Sequence, residues 1–168
     1  VYVNKVFAEA DVKILTGDVD LHYYAGYGGG RKSVLPAVSS AETIQHNHAM
    51  ILHPKAKTGV LEGNPVHEDM VEVAKLAKVN FILNIVMNSK QELVQAFAGD
   101  LEQAFYEGVK LVDEMYKVPV ERRADIVVVS SGGHPLDIDL FQAYKGIDNA
   151  LEAVKRGGVI VLVAECPE

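Results

Sequence analysis

The chain has 168 residues, 49% of them hydrophobic, with few aromatics and no Trp, a length that buries a substantial core as one large domain or two small ones. Its formal charge of -7 argues against a general nucleic-acid or anionic-membrane binder, because phosphate surfaces select basic partners, and no apolar run approaches the roughly 20 residues that a membrane helix needs. A lone cysteine, Cys166, excludes an internal disulfide framework and any cysteine-built zinc or iron–sulfur site. No signal peptide opens the chain, so a reduced, cytoplasmic protein is expected. The start at Val1 and the stop just past Cys166, at the C-terminal side of a strand where α/β active sites gather, suggest a piece of a larger protein.

In chain order, residues 1–10 are weakly helical, and "DVKILTG" (11–17) alternates as a strand ending at Gly17. Residues 18–39 show no sustained period, and a loop of that length is often functional. "SSAETIQHNHAMIL" reads as a helix capped by Ser39 or Ser40, with Glu42 available for a capping box. "GNPVHEDMVEVAKLAK" starts a second helix with Asn64 as N-cap and Pro65 at the first helical position. Residues 79–88 form a buried strand, residues 91–100 a second strand able to pair with it, and residues 101–118 a long amphipathic helix. Pro119 to Arg123 mark a boundary. Beyond it come a strand over 124–133, a helix around "DLFQAYKGIDNALEAVKR" ending at Gly157-Gly158, and a strand over 158–165. That order is a βαβ unit with a parallel strand pair. The expected fold is α/β, in two α/β parts (1–118 and 119–168) joined by the long helix.

"GYGGGRKS" (26–33) invites comparison with a phosphate-binding P-loop. That motif needs Gly directly before the Lys so that backbone amides curl around phosphate. Arg31 stands there instead, and no tight strand-to-helix turn suits GxGxxG either. Two readings stay open: a solvated loop with a surface lysine, or glycines that let the backbone approach a bulky anionic ligand. In the second, Arg31 or Ser33 binds the anion and Lys32 is a nucleophile or point charge.

Four of the six histidines cluster near this loop. On the 39–52 helix, Ile44, His48, Ile51 and Leu52 share a face, which points His48 inward and His46 to solvent. His48 is then either a core histidine or a neutral imidazole ligand on a rigid element, suited to nickel, zinc or copper. His22 is an ordinary loop histidine or a general base. His53 reads as a helix terminator, His67 as a first-turn packing residue, and His134 as an open candidate at a strand end. No HExxH or HxxEH pair supports zinc-hydrolase chemistry. On the late helix, Leu140, Tyr144, Ile147 and Leu151 are expected to be buried, with Gln142 and Lys145 together on a neighbouring face.

"HYYAGYGGGRKSVLPAVSSAETIQHNH", "HPKAKTGVLEGNPVHEDM" and "SSGGHPLDIDLFQAYKG" together resemble the nickel-pincer-nucleotide lactate racemase family, and the match runs through nearly the whole chain. The resemblance implies an isomerase, a racemase or epimerase of 2-hydroxy acids that works by hydride transfer. Its cofactor is a pyridinium-3,5-bisthiocarboxylic acid mononucleotide carrying nickel. It implies Lys32 as the covalent anchor of that cofactor, with Arg31 and Ser33 binding it as well, and His48 as the nickel ligand. His22 then matches a catalytic histidine, and Gln142 and Lys145 match residues that hold the substrate carboxylate. Two α/β domains with the site in the cleft between them are implied as well. The expected partners are a small 2-hydroxy acid and the enzymes that make the cofactor, with no nucleic acid and no membrane; without those enzymes the protein is produced unloaded. The second catalytic histidine belongs to an N-terminal region this chain lacks, and part of the C-terminal domain is missing too, so these 168 residues alone are expected to be inactive. The alternative is a non-catalytic nucleotide- or phosphate-binding α/β module.

Overall fold

The computed structural model describes residues 1–168. The fold is mixed α/β, in two compact units, Val1–Lys117 and Val118–Glu168. No helix is long and apolar enough to cross a membrane.

The first unit is built on a three-stranded sheet of order β1-β4-β5, with β1 at Ile14–Asp18, β4 at Phe81–Met87 and β5 at Leu93–Gly99. β1 lies parallel to β4, whereas β5 folds back antiparallel onto it. Alternation along these strands sends Leu15, Ile82, Asn84 and Val86 into the core and leaves Ile14, Phe81 and Leu83 exposed on the other face. α1 (Lys5–Glu9) is shorter than the helical tendency of residues 1–10, because Asn4 caps it and Val3 bridges to Ser39 instead. Between β1 and β4 come the short hairpin of β2 (Leu21–His22) and β3 (Gly26–Tyr27), a 3-10 turn over Gly30–Ser33, α2 (Ala41–Ala49) and α3 (Pro65–Leu76). α4 (Gln103–Tyr116) packs over β4 and β5 with Phe105, Val109 and Val112 buried, and the Tyr116 hydroxyl donates to the Met87 carbonyl.

Asn64 caps α3 as expected, its Oδ1 accepting from the amides of Val66 and His67. Ser40 caps α2 by accepting from Thr43 N–H. The capping box expected of Glu42 does not form, because Thr43 is the third helical residue and meets the Ser40 hydroxyl itself. The inward face of α2 also differs from expectation. Thr43 and Asn47 are the buried residues, Ile44 and His48 are half-buried, and Leu52 is 90% exposed. The helix ends at Ala49 and a 3-10 turn over Met50–Leu52 rotates the last apolar residues outward.

The second unit is a βαβ unit. β6 (Ala124–Ser130) and β7 (Val154–Val163) pair in parallel, with α5 (Leu140–Leu151) between them in the chain. Two sequence expectations are corrected. The expected buried stripe of Leu140, Tyr144, Ile147 and Leu151 is replaced by Ala143, Gly146 and Ala150. Leu140, Tyr144 and Leu151 are exposed and Ile147 is half-buried. Close approach explains this: a Cβ on Gly146 would stand 2.9 Å from Ser131 Oγ and 3.4 Å from Val129 Cγ2, so only small side chains fit. The helix also stops at Leu151 rather than at Gly157-Gly158, because Val154 already pairs with Ala124. The two glycines lie inside β7, where the register shifts between Ala124 and Ile126 and Gly158 passes the Asp125 carbonyl too closely for any side chain.

Candidate functional site

β1 leads through a short connection at Val19–Asp20 into the β2–β3 hairpin, which reverses the chain, and the glycine run passes back over Asp18–Asp20. A Cβ on Gly28 would overlap Asp20 Oδ1, one on Gly29 (φ +76°) would stand 2.7 Å from the Asp18 carbonyl oxygen, and one on Gly30 (φ +53°) would stand 3.0 Å from the Phe105 ring. Packing within the chain by itself therefore requires glycine at these positions.

The loop's polar groups are likewise spent inward. Gly28 N–H donates to the Asp20 carbonyl, Gly30 N–H to Asn84 Oδ1, Lys32 N–H to the Gly29 carbonyl and Val34 N–H to the Arg31 carbonyl. Amides so committed do not form a phosphate cradle of the P-loop kind. Asn84, buried within an otherwise apolar strand, also donates from Nδ2 to the carbonyls of Gly17 and Leu83. A single Asn in "FILNIVM" was the only trace of this in the sequence.

Arg31 is 1% exposed. Its guanidinium donates to the carbonyls of Ala25 (2.8 Å), Gly28 (3.3 Å) and Gly29 (3.3 Å) and lies 4.5 Å from the centre of the Phe105 ring. Burial pulls its pKa down to about 9, against the smaller raising influence of Tyr106 and Asp20. Arg31 thus braces the turn from within the core. Ser33 donates its hydroxyl to the Thr16 carbonyl at 2.8 Å, tying the turn to β1. His67, in the first turn of α3, stacks on the same Phe105 ring, with centroids 6.1 Å apart. Burial first and the Arg31 charge second push His67 down to about 3, so it is a neutral core residue at physiological pH.

Lys32, the next residue, leaves the core. Its ammonium lies 5.8 Å from the centre of the Tyr24 ring. The Tyr24 hydroxyl is 2.9 Å from His48 Nε2 on α2, and the His48 ring meets the Tyr24 ring edge-on with centroids 5.3 Å apart. His22 packs edge-to-face on the same tyrosine at 4.5 Å and stacks on Tyr23 at 5.1 Å. With Tyr23, edge-on at 4.7 Å, four side chains from two segments converge on the Tyr24 ring. Burial and then the Lys32 charge hold His48 below its ordinary value, so its imidazole is neutral and able to offer a lone pair. Burial, with a smaller contribution from Tyr23, pushes the Tyr24 phenol up to about 12. His22 Nδ1 accepts from Ala25 N–H at 3.3 Å, which assigns the proton of the neutral ring to Nε2.

Sequence reasoning missed Tyr24 as the hub of this group. The spacing of "HYYAG" placed it near His22, but its meeting with His48 depends on how α2 packs. Asn64 is part of the reason: besides capping α3, its Nδ2 donates to the carbonyls of Tyr24 and Val60, both at 2.9 Å. In the second unit, Lys145 Nζ donates to Gln142 Oε1 at 2.6 Å, so these two residues share a face of α5 as their spacing expected. His134 precedes α5 in the β6–α5 connection.

The profile of the lactate racemase N-terminal domain matches residues 1–59, which hold the whole Tyr24 group. That of the lactate racemase C-terminal domain matches residues 119–168, which hold Gln142 and Lys145. The chain belongs to the lactate racemase family. Within the family it is 45% identical to the lactate racemase of Thermoanaerobacterium thermosaccharolyticum and 44% identical to that of Lactiplantibacillus plantarum, over 99% and 96% of this chain. It spans about two-fifths of their length, 39% and 38%. The solved structure of the lactate racemase apoprotein from T. thermosaccharolyticum matches 98% of this chain and 40% of its own, with a TM-score of 0.95 at 45% identity. A Thermotoga maritima crystal structure, 22% identical, shares the fold at a TM-score of 0.75 over 94% of this chain and 41% of its own.

Proposed function

We propose that this chain is the cofactor-anchoring and substrate-holding part of a 2-hydroxy-acid racemase or epimerase that uses a lysine-linked nickel-pincer nucleotide. The observation that carries this reading is the convergence of Lys32 and His48 on the Tyr24 ring, one offering an amine and the other a neutral imidazole.

The residues fit such a group. A metal that arrives with sulfur and carbon donors of its own needs only one further protein ligand, and here one imidazole is offered rather than a cluster of three or more metal-binding side chains. Lys32 supplies the amine for the covalent link, and Arg31 and Ser33 act beneath it by fixing the turn it projects from. When bound, the cofactor supplies an electrophilic acceptor for the hydrogen on the hydroxyl-bearing carbon, which is far too weakly acidic for a histidine to remove as a proton.

The chain's own residues do the rest. His22 exchanges the hydroxyl proton with substrate at Nε2. Taking that proton at Nε2 requires the tautomer with hydrogen on Nδ1, and so release of the Ala25 amide bond, which at 3.3 Å is a long one; the imidazolium so formed returns the proton from Nε2. Lys145 and the amide nitrogen of Gln142 hold the substrate carboxylate, since the Gln142 oxygen is already taken by Lys145.

The test is peptide mass spectrometry with nickel analysis on full-length protein produced together with the cofactor-making enzymes. A nucleotide-sized adduct on the peptide containing Lys32, with nickel lost in His48→Ala, is expected. An unmodified Lys32 and no nickel under those conditions overturn the assignment.

A further inference from the structure

The same hydrogen bond that brings Tyr24 to His48 has a second consequence, and it rests on His48 being the metal ligand. A histidine binds a metal through the lone pair of a ring nitrogen. At Nε2 that lone pair is engaged: either the Tyr24 hydroxyl donates to it, or the nitrogen carries a proton and donates to the hydroxyl oxygen. In both tautomers the nitrogen must give up its partner before it can bind a metal.

The tyrosine is not a loose side chain that happens to reach the histidine. The residue is 8% exposed. Rings of His22 and Tyr23 stand edge-on to it at 4.5 and 4.7 Å, and Asn64 holds its carbonyl from the N-cap of α3. His48 is half-buried on a helix anchored by Asn47, whose Nδ2 donates to Asp69 and to the Val66 carbonyl. Both partners are held by separate elements, so their meeting at 2.9 Å is built into the fold.

We propose that the Tyr24 hydroxyl caps His48 Nε2, keeping free divalent metal ions off the ligand nitrogen and yielding it to a metal already held by other donors. A free aquo-ion gains a single nitrogen here and must displace the hydroxyl to get it. A metal that is also tethered through Lys32 makes the same displacement as an intramolecular step, at a high effective concentration. The cap therefore discriminates by mode of delivery, and Tyr24 is a specificity-determining residue.

The experiment uses full-length protein made without the cofactor-making enzymes, as wild type, Tyr24→Phe, His48→Ala and the double variant, titrated with Ni2+ alone. Calorimetry gives the affinity, and circular dichroism confirms folding. Tyr24→Phe is expected to bind Ni2+ about threefold to tenfold more tightly than wild type, the range of one modest hydrogen bond, and the double variant to lose that gain. Equal or weaker binding by a folded Tyr24→Phe overturns the cap while leaving His48 as ligand. A gain that survives in the double variant places the metal elsewhere and removes the support for both readings. If Tyr24→Phe does not fold, 15N-histidine spectra of the wild type decide: Ni2+ must abolish the hydrogen-bond shift of His48 Nε2, and binding with that shift intact overturns the cap.

Discussion

Arg31→Met separates a brace from a ligand contact. Methionine keeps an apolar stem against the Phe105 ring but removes the donors that satisfy the carbonyls of Ala25, Gly28 and Gly29. A buried acceptor left unpaired costs about 1–3 kcal/mol. Against that loss stands relief of burying a cation, a strain visible in the fall of the guanidinium pKa to about 9. With part of the gross loss offset in this way, a net destabilisation of about 2–4 kcal/mol is expected. Urea unfolding reads it as a lower midpoint at unchanged slope. Arg31→Lys should fall between the two proteins, because a single ammonium cannot reach all three carbonyls. A loss below about 1 kcal/mol, with Lys32 nonetheless failing to acquire its adduct, would refute the brace and make Arg31 a direct ligand contact.

Other substitutions test the same architecture. Gly29→Ala forces a side chain into a left-handed backbone and against the Asp18 carbonyl, and should cost about 2–4 kcal/mol in the same unfolding assay. Asn84→Leu leaves Gly30 N–H without its acceptor and removes the side-chain donor to the Gly17 carbonyl; a loss of about 1–3 kcal/mol is expected, with faster hydrogen exchange at Gly30. His67 gives a pH signature. The unfolded ring takes up a proton near pH 6.5, whereas the folded ring refuses it down to about 3. Its contribution is therefore whole above pH 6.5 and is lost as the pH falls toward 3, by up to about 1.4 kcal/mol per pH unit. His67→Phe should flatten that acid limb of the stability profile.

Local chemistry was legible in the sequence; packing distance was not. The Asn64-Pro65 start of α3, the β4–β5 pair and the parallel pairing of β6 with β7 follow from caps and from the alternation of apolar residues. In α5, large apolar residues at helical spacing suggest a buried face that the packing does not allow. Gly146 shows that the helix approaches the sheet too closely for them. The Gly157-Gly158 stop misled for a related reason: a glycine with positive φ serves a bulge in a strand as well as a helix end. In the loop, His22, Lys32 and His48 could be picked out by residue type, but a string of letters does not show that Arg31 turns inward while its neighbour Lys32 turns out. Nor could it show Tyr24 meeting His48, since those residues are 24 positions apart and are brought together by tertiary packing.

The inward-turned loop has a thermodynamic consequence for whatever Lys32 carries. The amides of Gly28, Gly30, Lys32 and Val34 and the carbonyls of Ala25, Gly28 and Gly29 are engaged before any ligand arrives, and the left-handed glycines are packed against their neighbours. The conformational entropy of that turn is therefore lost when the protein folds, and it is not lost again at loading. The free energy of attachment is not drained by ordering the backbone around the anchor, which is the advantage of a rigid receptor over one that closes on its guest. Amide exchange across Gly28–Val34 should accordingly be slow in the unloaded protein and change little once Lys32 is modified.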